Sequence, residues 1–195
     1  MKNKIVYIIP GHGETHLRQR VYGKVGKIFA GRGITPTQVE IDWNYAEPKS
    51  FTEYQKQFLK VYKKSKNTEV YVLGFSFGAM IAFLTAAKAK PDVLILCSLS
   101  PYFKEDLKNL KPAWVKWWRK NFIDNNYTFA KLAPKVKSQV ILIVGGEESK
   151  VCLIRAKEAK KKLSNAHLYI AKGAKHKIGQ KEYLHEIEKV VSRLG

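Results

Sequence analysis

Residues 68–80 read Thr68-Glu69-Val70-Tyr71-Val72-Leu73-Gly74-Phe75-Ser76-Phe77-Gly78-Ala79-Met80. The first half is rich in β-branched and aromatic residues and predicts a strand over 68–73. The second half opens an Ala-rich stretch, 77–89, that predicts a helix. Between them stands Gly74-Phe75-Ser76-Phe77-Gly78, a G-x-S-x-G pattern. On its own that pattern is common. Its meaning comes from the strand before it and the helix after it. A serine on such a sharp turn presents its hydroxyl outward, and the flanking glycines avoid collision with the neighbouring strand and helix. The helix N-terminus aims free N–H groups at any negative charge formed there. Ser76 is therefore a candidate nucleophile.

Outward from this turn, apolar runs alternate with helical patterns. Strands are predicted at 4–9, 38–43, 92–97, 139–144 and 166–171, several of them continuous apolar runs as in strands covered on both faces. Helices are predicted at 51–64, 77–89, 150–163 and 179–194. This βαβα order predicts a three-layer α/β/α sandwich around a mainly parallel six-stranded sheet, in one domain spanning 1–195. Residues 101–138 exceed a plain crossover. They place Trp114, Trp117, Trp118 and Phe122 at i, i+3, i+4 and i+8, and read as a short helical insertion capping the sheet's C-terminal edge. A packed cap, a membrane-surface helix and a completion of the core all fit this pattern.

A chain of 195 residues has a core large enough to need no disulfide or metal. No stretch has the ~18 apolar residues of a membrane span. The basic start followed by Ile5 to Ile9 reads as a strand, not a leader, because Pro10-Gly11 ends the apolar run. Cys97 and Cys152 form no metal or redox motif and read as free thiols of a cytoplasmic protein. Lys+Arg number 36 against 16 Asp+Glu, a net charge of +20. Such an excess favours weak contact with anionic lipid or nucleic acid. Most of it is scattered lysine, and no nucleic-acid-binding motif accompanies it.

After the last predicted strand, Ala171-Lys172-Gly173-Ala174-Lys175-His176 places a histidine on a loop at a strand's C-terminal end, where it can reach Ser76 and serve as general base and then acid. GFSFG after a strand, a histidine soon after the final strand and a parallel sheet together resemble the α/β-hydrolase fold. The likeness runs from Lys4 to the C-terminal helix. It implies a compact member lacking the two leading antiparallel strands, with spatial strand order 2-1-3-4-5-6. It also implies a Ser–acid–His triad in that chain order. The acid belongs after the fifth strand, at Gly145-Gly146-Glu147-Glu148-Ser149. Ser149 stands where many relatives carry Asp, so Glu148 ranks first, then Glu147. Asp106, with Glu105 beside it, is the alternative if the acid follows the preceding strand. The oxyanion donors implied are the N–H of Phe77 and that of either His12 or Glu14, depending on how Pro10-Gly11-His12-Gly13-Glu14 aligns.

These residues predict a serine hydrolase acting on a carboxylic ester, thioester or related small acyl substrate, with no cofactor and no metal. Two rivals remain. His12-Gly13-Glu14-Thr15 also resembles the histidine-phosphatase family, although Gly11 replaces the phosphate-clamping arginine and no second His-Gly motif follows. A non-catalytic basic binding module on the same fold would account for the charge and for Ser149. His12 and His16 are spaced as a helical metal pair, but Gly13 lies between them and the HExxH glutamate is missing.

Overall fold

A computed structural model describes residues 2–13, 16–43 and 50–194, with the backbone alone for residues 16–19. Among the described residues six strands form one sheet: β1 (Asn3–Ile9), β2 (Thr35–Gln38), β3 (Thr68–Phe75), β4 (Val93–Cys97), β5 (Gln139–Gly145) and β6 (Ala166–Ala171). Their spatial order is β2-β1-β3-β4-β5-β6, as expected. Every neighbouring pair is parallel, so all C-terminal ends lie along one edge.

Strand side chains alternate between two cores. Tyr7, Ile9, Val70, Val72, Leu94 and Leu96 pack on one face beneath α2 (Phe51–Val61) and α3 (Phe77–Ala89). Val6, Ile8, Tyr71, Leu73, Val93 and Ile95 pack on the other beneath α1 (His16–Ala30) and α7 (Lys181–Val191). The strands are apolar on both sides because helices cover both sides. Two predictions needed correction. The second strand lies at 35–38, not 38–43, and all four of its residues are exposed. The apolar alternation of Val39, Ile41 and Trp43 belongs to the segment that follows, which packs into the first core. Helix α1 was not foreseen. Its core contacts come from Tyr22, Val25 and Phe29 at helical spacing, among glycines and cations that mask the pattern.

Between β4 and β5 run α4 (Pro112–Asn121) and α5 (Phe129–Leu132), flanked by short 3₁₀ turns. Polar ties hold this segment down. Arg155, on α6 (Lys150–Lys162), lies 3.1 Å from the Asp106 carboxylate, with its guanidinium 4.2 Å from the Phe129 ring centroid. Asp124 reaches back to the start of α2. It accepts hydrogen bonds from the N–H groups of Phe51 and Thr52 and from the Tyr127 hydroxyl. A carboxylate there satisfies orphan donors and complements the helix dipole.

Burial works against the Asp124 charge, but the bonds from Thr52, Tyr127 and Ser50 outweigh it and hold its carboxyl below the usual carboxylate range. Asp124→Ala is expected to cost about 1–2 kcal/mol of stability at neutral pH, as loss of a helix cap does. Because the folded-state value is the lower one, the difference from wild type persists above the ordinary carboxylate range. It should vanish as pH falls through the folded-state value. Paired urea melts at neutral and acidic pH measure this. Equal stabilities at neutral pH would refute it.

Candidate active site

The site sits at the C-terminal ends of β3, β4, β5 and β6. Strand β3 delivers Ser76 on a turn with φ 55° and ψ −118°, strained for any residue with a side chain. The turn is this tight because helix and strand touch. A Cβ on Gly74 would lie 2.3 Å from the Gly78 carbonyl oxygen, and one on Gly78 would lie 2.3 Å from that of Ile9. The same turn leaves Phe77 at the first position of α3, where the N–H has no intrahelical partner.

Ser76 Oγ lies 2.9 Å from His176 Nε2. His176 Nδ1 lies 2.7 Å from Glu148 Oε2. The imidazole keeps one face open, its side chain 42% exposed, while the Glu148 side chain is fully buried. Glu148 Oε1 accepts the Gly145 N–H at 2.8 Å and a hydrogen bond from the Ser98 hydroxyl. Burial disfavours the Glu148 charge, but the bonds from His176, Ser98 and Gly145 prevail and lower its pKa. For His176, burial opposes the imidazolium, yet the Cys152 sulfur and the Glu148 carboxylate push its pKa up to about 9.

The other predicted carboxylates are elsewhere. Glu147 is exposed, and Asp106 is committed to Arg155. Glu105 accepts the Ala130 N–H at 2.9 Å. Glu14 lies outside the described residues, as does the side chain of His16. The loop after β1 abuts the serine turn, since a Cβ on Gly11 would lie 3.4 Å from Ser76 Cβ. His12 on that loop is ringed by Trp43, Phe77, Trp117 and Phe122, with centroids 5.1 to 5.9 Å away. Burial lowers its pKa to about 4, so the ring is neutral at pH 7. A neutral ring among aromatics is poorly placed to hold phosphate.

A cavity of about 320 Å³ opens beside Ser76 and His176, walled by Phe77, Tyr102, Trp114 and Cys152. The inserted segment thus supplies part of the wall. Trp118 and Phe122 are buried, and Trp118 stacks on Phe77 at 5.6 Å with a 16° interplanar angle. Trp114 is 40% exposed.

Three polar residues at the site escaped the sequence reading. Ser98 and Tyr183 lie behind Glu148, and Ser100 Oγ lies 3.3 Å from Ser76 Oγ. None belongs to a motif, and their convergence depends on the fold. Cys152, on the first turn of α6, accepts a hydrogen bond from Ser149 Oγ at 3.2 Å. Among the described residues, Glu148, Cys152 and His176 are the group spaced closely enough to share a metal ion, their ligand atoms lying within 4.8 Å of one another. Glu148 and His176 are already bonded to each other. No helix of the described residues is long and apolar enough to cross a membrane.

A family model described as alpha/beta hydrolase fold matches residues 5–180. No curated protein matches the sequence. Among solved structures, MGS-MChE2, an alpha/beta hydrolase enzyme from the metagenome of lagoon sediments of Mar Chica, Morocco, superposes with a TM-score of 0.71 at 20% identity, covering 98% of this chain and 90% of that one. Est1E from Butyrivibrio proteoclasticus gives 0.75 at 16% identity, covering 97% and 86%. Mouse alpha/beta hydrolase domain-containing protein 10 gives 0.70 at 14% identity, covering 100% and 91%. At such identities these likenesses concern the fold.

Proposed function

Because the chain belongs to the alpha/beta hydrolase fold family, we propose that it is a serine hydrolase, cleaving a carboxylic ester, thioester or related acyl substrate through a covalent acyl-enzyme. One observation carries this reading: the unbroken hydrogen-bonded series Ser76–His176–Glu148, open at the serine end to a largely apolar cavity. Nucleophile, base and orienting acid lie within hydrogen-bond reach of one another in the order this chemistry needs.

In the first half-reaction Ser76 Oγ attacks the acyl carbonyl carbon as its proton passes to His176 Nε2. The carbonyl oxygen becomes an oxyanion that accepts the Phe77 N–H. The contact between the 10–13 loop and the serine turn supports His12 N–H as second donor. Collapse of this intermediate breaks the bond to the leaving group, which takes the proton from His176. In the second half-reaction water attacks the acyl-serine with His176 as base, releasing the acid and restoring Ser76. Throughout, Glu148 keeps the Nδ1 proton on the imidazole and stabilises its positive charge. The aromatic wall favours an apolar acyl group, and residues 101–138 serve as a cap within a single domain. The net charge of +20 supports weak contact with anionic lipid or nucleic acid as well. The buried free thiols, Cys97 and Cys152, support a reducing compartment such as the cytoplasm.

The test is covalent labelling with a fluorophosphonate, read by mass spectrometry of the peptide containing Ser76. Wild type and His12→Ala should both carry the adduct, because alanine keeps the backbone N–H. Ser76→Ala should carry none. An unlabelled wild type would overturn the reading.

A further inference from the structure

Ser98 follows the last residue of β4 at φ 50°, in the left-handed region that glycine adopts freely and other residues rarely do. It is 0% exposed. Its hydroxyl donates to Glu148 Oε1 and lies 2.7 Å from the hydroxyl of Tyr183, itself fully buried on α7. The Tyr183 hydroxyl also lies 2.9 Å from the Ile143 carbonyl oxygen, which already accepts the Ser98 N–H at 2.7 Å.

Counting protons gives this group a direction. Glu148 is ionised and can only accept, so the single Ser98 hydroxyl proton goes to Oε1. The Ser98 oxygen is then left to accept, and the single Tyr183 hydroxyl proton lies between it, at 2.7 Å, and the Ile143 carbonyl oxygen at 2.9 Å, a three-centre arrangement. Oε1 is thus held from two sides, by Ser98 and by the Gly145 N–H at 2.8 Å, which leaves Oε2 for His176. A glutamate has one more rotatable bond than an aspartate, so its carboxylate needs more fixing to hold one position. A glycine at 98 would relieve the backbone but supply no hydroxyl.

We propose that Ser98, itself oriented by Tyr183, is a positioning residue that pins the Glu148 carboxylate against His176, and that the strained backbone at 98 is retained for its hydroxyl. This inference rests on the serine-hydrolase reading and adds to it a determinant outside the Ser–His–acid set.

Ser98→Gly separates strain from function. Relief of the φ penalty and loss of the buried hydroxyl act on stability in opposite directions with similar size, so the melting temperature of the variant should stay near the wild-type value. Its kcat on a p-nitrophenyl ester should fall about 10- to 100-fold at unchanged KM, the factor carried by a lost buried hydrogen bond to a charged group. Fluorophosphonate labelling of Ser76 should slow in parallel. Tyr183→Phe, which keeps the ring, should shift kcat in the same direction by less. Wild-type kcat and labelling rate in Ser98→Gly would overturn the proposal while leaving the hydrolase reading intact. So would a loss that tracks a lowered melting temperature, or one confined to KM. A wild type that fails to label would remove both.

Discussion

Replacing Ser76 by alanine is expected to lower kcat on an activated ester by between about 10⁴- and 10⁶-fold, the range over which loss of a serine nucleophile acts in enzymes of this design. Several features make the effect large. Among the described residues, Ser76 Oγ is the hydroxyl placed 2.9 Å from the open nitrogen of His176. Ser100 is near, but its hydroxyl contacts Ser76 at 3.3 Å, and no bond joins it to the imidazole. The proposed oxyanion donors and the cavity would still bind substrate, which sets the floor below which activity should not fall. Alanine keeps a Cβ at φ 55°, so the strain of the turn and the melting temperature should change little. Steady-state kinetics alongside thermal melts measure both. A variant within tenfold of wild type would mean that another group attacks the carbonyl.

The second large effect belongs to Glu148→Gln, expected to cost about 10⁴-fold in kcat. The size follows from proton placement. Oε1 of Glu148 faces the Gly145 N–H at 2.8 Å, a donor that cannot turn round. A glutamine must put its carbonyl oxygen there, which turns its NH₂ toward His176 Nδ1. That nitrogen then has to accept, the ring proton moves to Nε2, and the imidazole can no longer take the serine's proton. The pH profile gives a second reading. The proposed mechanism needs neutral His176, whose pKa is pushed up to about 9, so wild-type kcat/KM should climb through the alkaline range. Removing the carboxylate charge removes one of the causes of that elevation, so the residual activity should rise at lower pH. Glu147→Gln, at an exposed position, should leave both rate and profile unchanged. Equal effects at 147 and 148 would reject this assignment.

The parts of the molecule visible in the chain are those whose physics is local. A strand, a tight turn and a helix are encoded within 68–89, so Ser76 could be placed before any contact was known. His176 follows in the same way from its loop after β6. Strand order came with the family resemblance, and the acid was ranked among Glu148, Glu147 and Asp106 without being settled. What sets Glu148 apart from Glu147 is its burial and its bonds to Ser98, Gly145 and His176, of which only Gly145 is near in sequence. Edge elements were the hardest to see. Strand β2 is made of Thr35, Pro36, Thr37 and Gln38, which carry no apolar signal because an exposed edge strand needs none. Helix α1 spends few residues on its core face. The hydroxyls of Ser98 and Tyr183, 85 positions apart, had no local signature at all.

The sheet places the proposed nucleophile and its proposed base in parts of unequal durability. Ser76 rises from a central strand paired on both sides, whereas His176 hangs from the loop after β6, an outermost strand with one neighbour and with Ile170 43% exposed. Rim strands open at lower free energy than central ones. Brief peeling of β6 would carry the imidazole away while the serine turn stays intact, so warming should silence the enzyme before the chain unfolds. Resistance to heat is then governed by the margin of the sheet: bracing β6 should lengthen the working life of the enzyme more than further packing around β3.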